Sequence, residues 1–217
     1  MIIQTDRMVT LVGGGDVDPA QLTESLKIAP ILVAADGGAA AALKVGMPRA
    51  VIGDFDSLPP DLRDLLPADR LHHIAEQDST DFDKALRSIS APLVLGHGFL
   101  GHRVDHELAT LNTLIKRTKP NCILVGRRDV IFAAQGRIHL DLPAETRFSL
   151  FPMAPVSGRS TGLHWPIDGI DFMPDGPIGT SNRTTGPVTL EFDQDGMLVI
   201  LPQNHLPAVL AAHAPAR

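Results

Sequence analysis

Up to about residue 126, short apolar runs alternate with amphipathic stretches. The runs are Met8–Val12, Ile31–Ala35, Ala50–Ile52, Leu71–Ile74, Leu93–Leu95 and Cys122–Val125, rich in Val, Ile and Leu and several of them unbroken. Unbroken runs of this length mark strands covered on both faces. Between them, Pro19–Ile28, Ala39–Val45, Pro60–Leu66, Asp81–Ser88 and Val104–Lys116 read as helices. The last is the clearest, with Val104, Leu108, Leu111 and Ile115 at helical spacing on one face. Strand–helix repetition predicts a Rossmann-like α/β domain with a parallel sheet and right-handed crossovers.

From about residue 129 the texture changes. Val130–Ala134, Ile138–Leu142, Arg147–Phe151, Val188–Phe192 and Leu198–Leu201 are short and separated by Gly, Pro, Asp or Asn. Asp195-Gly196, between two such runs, reads as a hairpin turn. No helical period is visible, so this part predicts a small antiparallel sandwich or barrel, and the tail from about Pro207 is expected to fray. The predicted domains are residues 1–128 and 129–217.

Composition narrows the function. The 217 residues are 44% hydrophobic and carry a formal net charge of −6, which argues against nucleic acid or an anionic membrane as the main partner. Cys122 is the single cysteine, so no intrachain disulfide forms, and its apolar surroundings predict a buried, inert thiol. The start lacks the basic, then apolar, pattern of a signal peptide. The most apolar region, 29–47, is interrupted by Asp36, a glycine pair and Lys44, which excludes a membrane span there. A cytoplasmic location is the resulting expectation.

The acidic residues carry the chemistry. Asp36 follows the second run, Asp54 and Asp56 the third, Asp78 and Asp81 precede one helix, and Asp105 opens another. All follow strands, which in an open parallel sheet gathers them at the edge where ligands bind. In extended chain, Asp54 and Asp56 at i and i+2 would face a common ion. Crowded carboxylates without cysteine point to a hard divalent cation, Mg²⁺. Lys84 and Arg103 sit in the same segments, either as phosphate ligands or as a solvated lysine and a structural ion pair. Gly13-Gly14-Gly15 is either a phosphate loop or a tight turn. His72 and His73, adjacent on a strand, face opposite ways and make no metal pair. Single aspartates in such places are usually caps or turn residues, but caps have no reason to gather at one sheet edge.

Four segments in order, Ala35-Asp36-Gly37-Gly38, Gly53-Asp54-Phe55-Asp56-Ser57, Gln77-Asp78-Ser79-Thr80-Asp81-Phe82-Asp83-Lys84 and Arg103-Val104-Asp105-His106, resemble the signature blocks of thiamine pyrophosphokinases. Thr161-Gly162-Leu163-His164-Trp165-Pro166 and Gly179-Thr180-Ser181-Asn182 are similar to the thiamine-site segments of that family. The resemblance spans Met8 to about Leu201. It implies an α/β domain followed by a β-sandwich, a homodimer, and ATP and thiamine as substrates. It further implies Asp36, Asp54, Asp56 and Asp81 at Mg²⁺, and Gln77, Thr80, Lys84, Arg103 and Asp105 at nucleotide or substrate. Trp165 would stack on thiamine, with Ser181 and Asn182 nearby; by pattern alone the single tryptophan would be a core residue. His102 and Thr110 depart from the family's usual Gly and Asn.

The reaction so implied is attack of the thiamine hydroxyl on the β-phosphorus of ATP, with Asp81 or Asp105 accepting the proton. The same acidic set, with Asp105-His106 for water activation, would also suit a metal-dependent phosphohydrolase. A thiamine or nucleotide sensor is a third reading, though a binder has little use for so many carboxylates.

Overall fold

The computed structural model describes residues 1–213. The chain divides into two compact units, Met1–Arg127 and a second from Arg128 onward. The first contains, in chain order, β1 (Ile3–Gln4), β2 (Val9–Val12), α1 (Pro19–Ile28), β3 (Ile31–Ala35), α2 (Ala39–Ala42), β4 (Ala50–Gly53), α3 (Pro60–Asp64), β5 (Leu71–His73), α4 (Asp81–Arg87), β6 (Ile89–Ser90), β7 (Val94–His97), α5 (Val104–Lys116) and β8 (Cys122–Val125).

Six of these strands form a parallel sheet in the order β8-β7-β2-β3-β4-β5. From β2 the chain works outward through β3, β4 and β5, then returns to add β7 and β8 on the other side. That reversal leaves a crevice beyond the carboxyl ends of β2 and β7, the ordinary ligand position in such sheets. β2, β4, β7 and β8 are buried along their whole length, as strands covered on both faces, with Thr10 and His97 as polar members. Thr10, the polar member of β2, donates its hydroxyl to the Ala29 carbonyl at 2.6 Å. Asp18 caps α1 by accepting from the backbone N–H groups of Ala20 and Gln21, with Pro19 at the first helical position. Cys122 is free and buried, and burial pushes its thiol well above the ordinary range.

α5 forms where its periodicity predicts, but with a different face inward. Val104 is 74% and Leu108 57% exposed, whereas Thr110, Thr113 and Leu114 are buried. A polar stripe, Arg103, His106 and Thr110, turns toward the crevice instead. Helical spacing established the helix, and the crevice rather than the hydrophobic stripe set its rotation.

The second unit contains β9 (Asp129–Ala134), β10 (Arg137–Leu140), β11 (Arg147–Pro152), β12 (Gly158–Leu163), β13 (Gly179–Phe192), β14 (Met197–Pro202) and α6 (Leu206–His213). Every pairing within it is antiparallel. β13 belongs to two sets of neighbours. Its first half pairs β11, with Arg183 opposite Arg147; its second pairs β10, with Val188 opposite Leu140, and β12 on its other edge. The exchange occurs around Gly186, at φ +152°, and Pro187.

Three expectations change here. Asp195-Gly196 is not a hairpin turn, because β14 pairs β9 and β11 and not β13; the link carries the chain from one set of strands to the other. β12 and the first half of β13 were not foreseen, since Gly158–Leu163 and Gly179–Thr184 carry few apolar side chains and are held by backbone ladders. The tail forms α6 rather than fraying from Pro207: that proline lies in the first turn, where its missing N–H costs nothing, and Leu206 and Val209 are buried. The rest of that tail, 214–217, lies outside the described residues. Among the described residues no helix is long and apolar enough to cross a membrane.

Candidate functional site

A cavity of about 500 Å³ opens in the crevice of the first unit. Its walls are the glycine run after β2, Ala35–Gly37 after β3, Asp54 and Ser57 after β4, the segment from Gln77 to Lys84, and Gly98–Phe99 with the start of α5 after β7. Asp36, Asp54 and Asp81 each turn a carboxylate oxygen into it, and the three oxygens lie within 4.8 Å of one another.

Asp36 occupies the left-handed region at φ +41°, a conformation Asp tolerates better than most residues. Its carboxylate is 2% exposed; Oδ2 accepts from the Ser57 N–H at 3.0 Å, while Oδ1 is buried without a partner. Buried carboxylate oxygens are normally satisfied. Two oxygen-bearing neighbours and one orphaned acceptor are a set that fits a hard divalent cation. Gly53 makes the cluster possible: a Cβ there would lie 2.8 Å from the Asp36 Cβ and 3.1 Å from the Asp81 carboxylate.

Lys84 reaches the cluster from α4. Its ammonium is 2.7 Å from Asp54 Oδ2 and 3.4 Å from Asp81 Oδ1. The hydrogen bond from Lys84 holds the Asp54 carboxyl below the usual range. Burial, then the charges of Asp54 and Asp36, push Asp81 up. Burial alone would lower Lys84, but its two carboxylate partners outweigh that and raise it. Asp81 opens α4 and Thr80 caps it, accepting from the Asp83 N–H. Gln77 donates to Asp54 Oδ2 at 3.3 Å. Asp83 turns away and pairs with Arg117.

Other expected residues are placed differently. Asp56 is exposed and outside the cluster, because Phe55 at φ +67° breaks the extended geometry that would align it with Asp54; only its backbone N–H reaches Asp54, at 3.2 Å. Asp105 is exposed and paired with Arg103, and of the two only Arg103 lines the cavity. Phe99 lines it without having been foreseen, and His102 and His106, noted only within their motif, line it as well. The spacing of His102, His106 and Thr110 was the available signal for a polar helix face. Within the glycine run, the Gly13 and Gly15 N–H groups already donate to the His97 and Gly98 carbonyls, so the run cannot offer its full set of amides to a phosphate.

Gly38, just behind the lining residue Gly37, lets the backbone after β3 approach the end of β2 closely. A Cβ there would lie 2.0 Å from the Val12 carbonyl oxygen, and backbone at both points must move to admit it. Gly38→Ala is expected to cost about 1–3 kcal/mol or more of stability. Gly14→Ala, whose Cβ meets nothing nearer than 3.6 Å, should cost far less. Urea midpoints of the two variants check this; equal losses would contradict it.

In the second unit Trp165 is 56% exposed, so its ring is not part of the core. Its backbone is held by buried Asn182, which accepts from the Trp165 N–H at 3.2 Å and donates to the Trp165 carbonyl at 2.7 Å. Asn182 is thereby committed to shaping this segment. Ser181 is exposed at φ +64°, and its N–H donates to Ser149 Oγ. His164 meets the indole edge-on at 4.5 Å, and Arg183 lies 5.8 Å from its centroid.

The family model described as "Thiamin pyrophosphokinase, catalytic domain" matches residues 22–125, from α1 to the end of β8 and including the whole acidic cluster. The chain is 29% identical over 154 residues to thiamine pyrophosphokinase 1 of Oryza sativa subsp. japonica, and 29% identical over 168 residues to thiamine pyrophosphokinase 1 of Arabidopsis thaliana. Over this stretch the chain is similar to thiamine pyrophosphokinases. The matches cover 62% and 68% of this chain, but only 58% of the rice protein and 63% of the Arabidopsis one.

Solved thiamine pyrophosphokinases share the fold. That of Candida albicans superposes with a TM-score of 0.76 at 18% identity, covering 92% of each chain. That of Bacillus subtilis gives 0.72 at 22% identity, covering 90% of this chain and 98% of the other. At such identities the likeness is one of fold, so the chemistry of this chain rests on the side chains described above.

Proposed function

We propose that the protein transfers the terminal pyrophosphate of ATP to the hydroxyl of thiamine, giving thiamine diphosphate and AMP. The observation that carries this reading is the Asp36–Asp54–Asp81 cluster, with its orphaned buried oxygen, at the strand edge of a segment that matches the family's catalytic domain. These three carboxylates would hold Mg²⁺, with exposed Asp56 as an outer partner of the same ion. When bound, the ion neutralises charge on the triphosphate and on the departing AMP.

In this reading the new bond joins the thiamine oxygen to the β-phosphorus, and the bond from that phosphorus to the oxygen bridging to the α-phosphate breaks. Asp81, which lines the cavity, is better placed to accept the hydroxyl proton than Asp105, which is exposed, tied to Arg103 and outside the lining. Gln77, Thr80 and Arg103 border the cavity where the nucleotide would lie. Preorganised charge and positioning supply most of the acceleration in such transfers. The deciding experiment measures AMP with ATP and Mg²⁺, with and without thiamine. AMP formed only with thiamine is expected; equal release without it would instead indicate a phosphohydrolase.

Thiamine would be held by the exposed Trp165 indole, suited to a cationic thiazolium ring, with Ser181 beside it and Asn182 fixing the segment. Trp165→Ala is expected to weaken thiamine binding a few-fold to about thirtyfold, with ATP affinity and the urea midpoint nearly unchanged. A large loss of stability at unchanged thiamine affinity would remove Trp165 from the site. The proposal includes assembly as a homodimer with two equivalent sites; sedimentation showing a fully active monomer would reject that part.

A further inference from the structure

We propose that Lys84 is the internal counter-ion of the acidic cluster, a positioning residue that keeps three carboxylates together and sets their affinity for one divalent ion. The inference rests on the reading of the cluster as a cation site and assigns Lys84 a different task from direct phosphate contact.

Lysine is rarely buried unless paired, and Lys84, 1% exposed, ranks among the largest fully buried side chains. Its stem runs through the interior, and two of its three N–H donors are directed at Asp54 and Asp81. Helix α4 fixes the approach. The Lys84 N–H donates to the Thr80 carbonyl, and Ser88 Oγ donates to the Lys84 carbonyl at 2.7 Å. Asp81, three residues earlier, lies on the same helix face. Among the described residues, Asp36 Oδ1 is the buried side-chain oxygen left without a donor. Three carboxylates and one ammonium sum to −2, the charge that a single divalent cation cancels. Without the ammonium, three clustered carboxylates would repel one another or take up protons.

This role differs measurably from a phosphate ligand. In a calorimetric titration with Mn²⁺ and no nucleotide, Lys84→Met is expected to bind the ion at least about tenfold tighter than wild type, because a neighbouring positive charge has gone. ATP affinity measured in EDTA should change by less than about threefold, below half a tenfold step in free energy. In EDTA the variant should melt below wild type, and saturating Mg²⁺ should restore it. Lys84→Gln, which keeps an N–H donor for Asp54 but no charge, should behave in the same way. Unchanged or weaker Mn²⁺ binding, joined to weaker metal-free ATP binding, would overturn the proposal in favour of a phosphate ligand. Failure of both variants to fold even at saturating Mg²⁺ would also overturn it, since the cation should replace the missing charge. If neither wild type nor variant binds Mn²⁺, the cation-site reading falls; if both bind alike, only the counter-ion role does.

Discussion

Asp54→Asn is expected to lower thiamine-dependent AMP release by roughly 10²–10³-fold, the usual cost of removing one preorganised electrostatic group from a transition state. Asp54 is where the cluster converges: its Oδ2 accepts from Lys84 and Gln77, and its Oδ1 from the Asp56 backbone. Asparagine keeps the shape, but it removes the charge and can turn an amide N–H toward the Lys84 ammonium. The fold should survive, because the side chain lies at the crevice and not in the apolar core. Asp56→Asn, which removes an exposed charge outside the cluster, should give a smaller loss. Steady-state AMP release at limiting Mg²⁺, with circular dichroism as the folding control, checks both. Near-normal turnover of Asp54→Asn would remove the cluster from the mechanism.

The second large effect concerns His97. It is buried at the end of β7, with Nε2 2.9 Å from Ser25 Oγ on α1. Burial lowers its pKa from 6.5 to about 4. The folded value lies below the unfolded one, so between these limits the unfolded chain binds more protons. This contribution to stability is fully present above about pH 6.5 and is lost as pH falls toward 4, to a total of about 3 kcal/mol. His213, also lowered by burial, acts in the same direction, so the informative quantity is a difference between proteins. His97→Gln should lose markedly less stability than wild type between pH 7 and 4.5 in urea denaturation. Equal losses would exclude His97 as a source of the acid sensitivity. The effect reaches the site because the His97 carbonyl holds the Gly13 N–H at 2.7 Å.

The parallel sheet was legible because strands buried on both faces must be apolar throughout, and topology alone then gathers whatever follows them. Asp36, Asp54 and Asp81 were found by that route. Asp56 was misplaced because sequence does not announce a left-handed Phe55. Lys84 could not be seen as buried, since hydropathy counts the residue as exposed and only its two carboxylate partners make burial tolerable. The rotation of α5 was obscured because the helix faces a polar crevice on one side while leaving Val104 and Leu108 in solvent. β12 and the first half of β13 escaped because ladders of backbone hydrogen bonds leave no hydropathy signal. Trp165 would be core by pattern alone and a thiamine contact by the resemblance; its exposure contradicts only the first.

The division of β13 between two sets of partners has a consequence for how the chain tolerates length change. Residues before the bend are registered against β11, with Thr184 also opposite Leu163 of β12, and residues after it against β10 and β12. A single residue inserted at Gly186-Pro187 would leave the pairing of Asn182 with Phe148 untouched. Downstream it would face a choice: be absorbed as a wider bulge, or shift the strand by one. The shift would turn Val188, Leu190 and Phe192 from the interior to solvent and bring Thr189 and Glu191 in, because side chains alternate with a period of two. Two inserted residues would restore the alternation. Insertions here should therefore obey parity, the odd ones damaging the C-terminal half of the strand and the even ones sparing it.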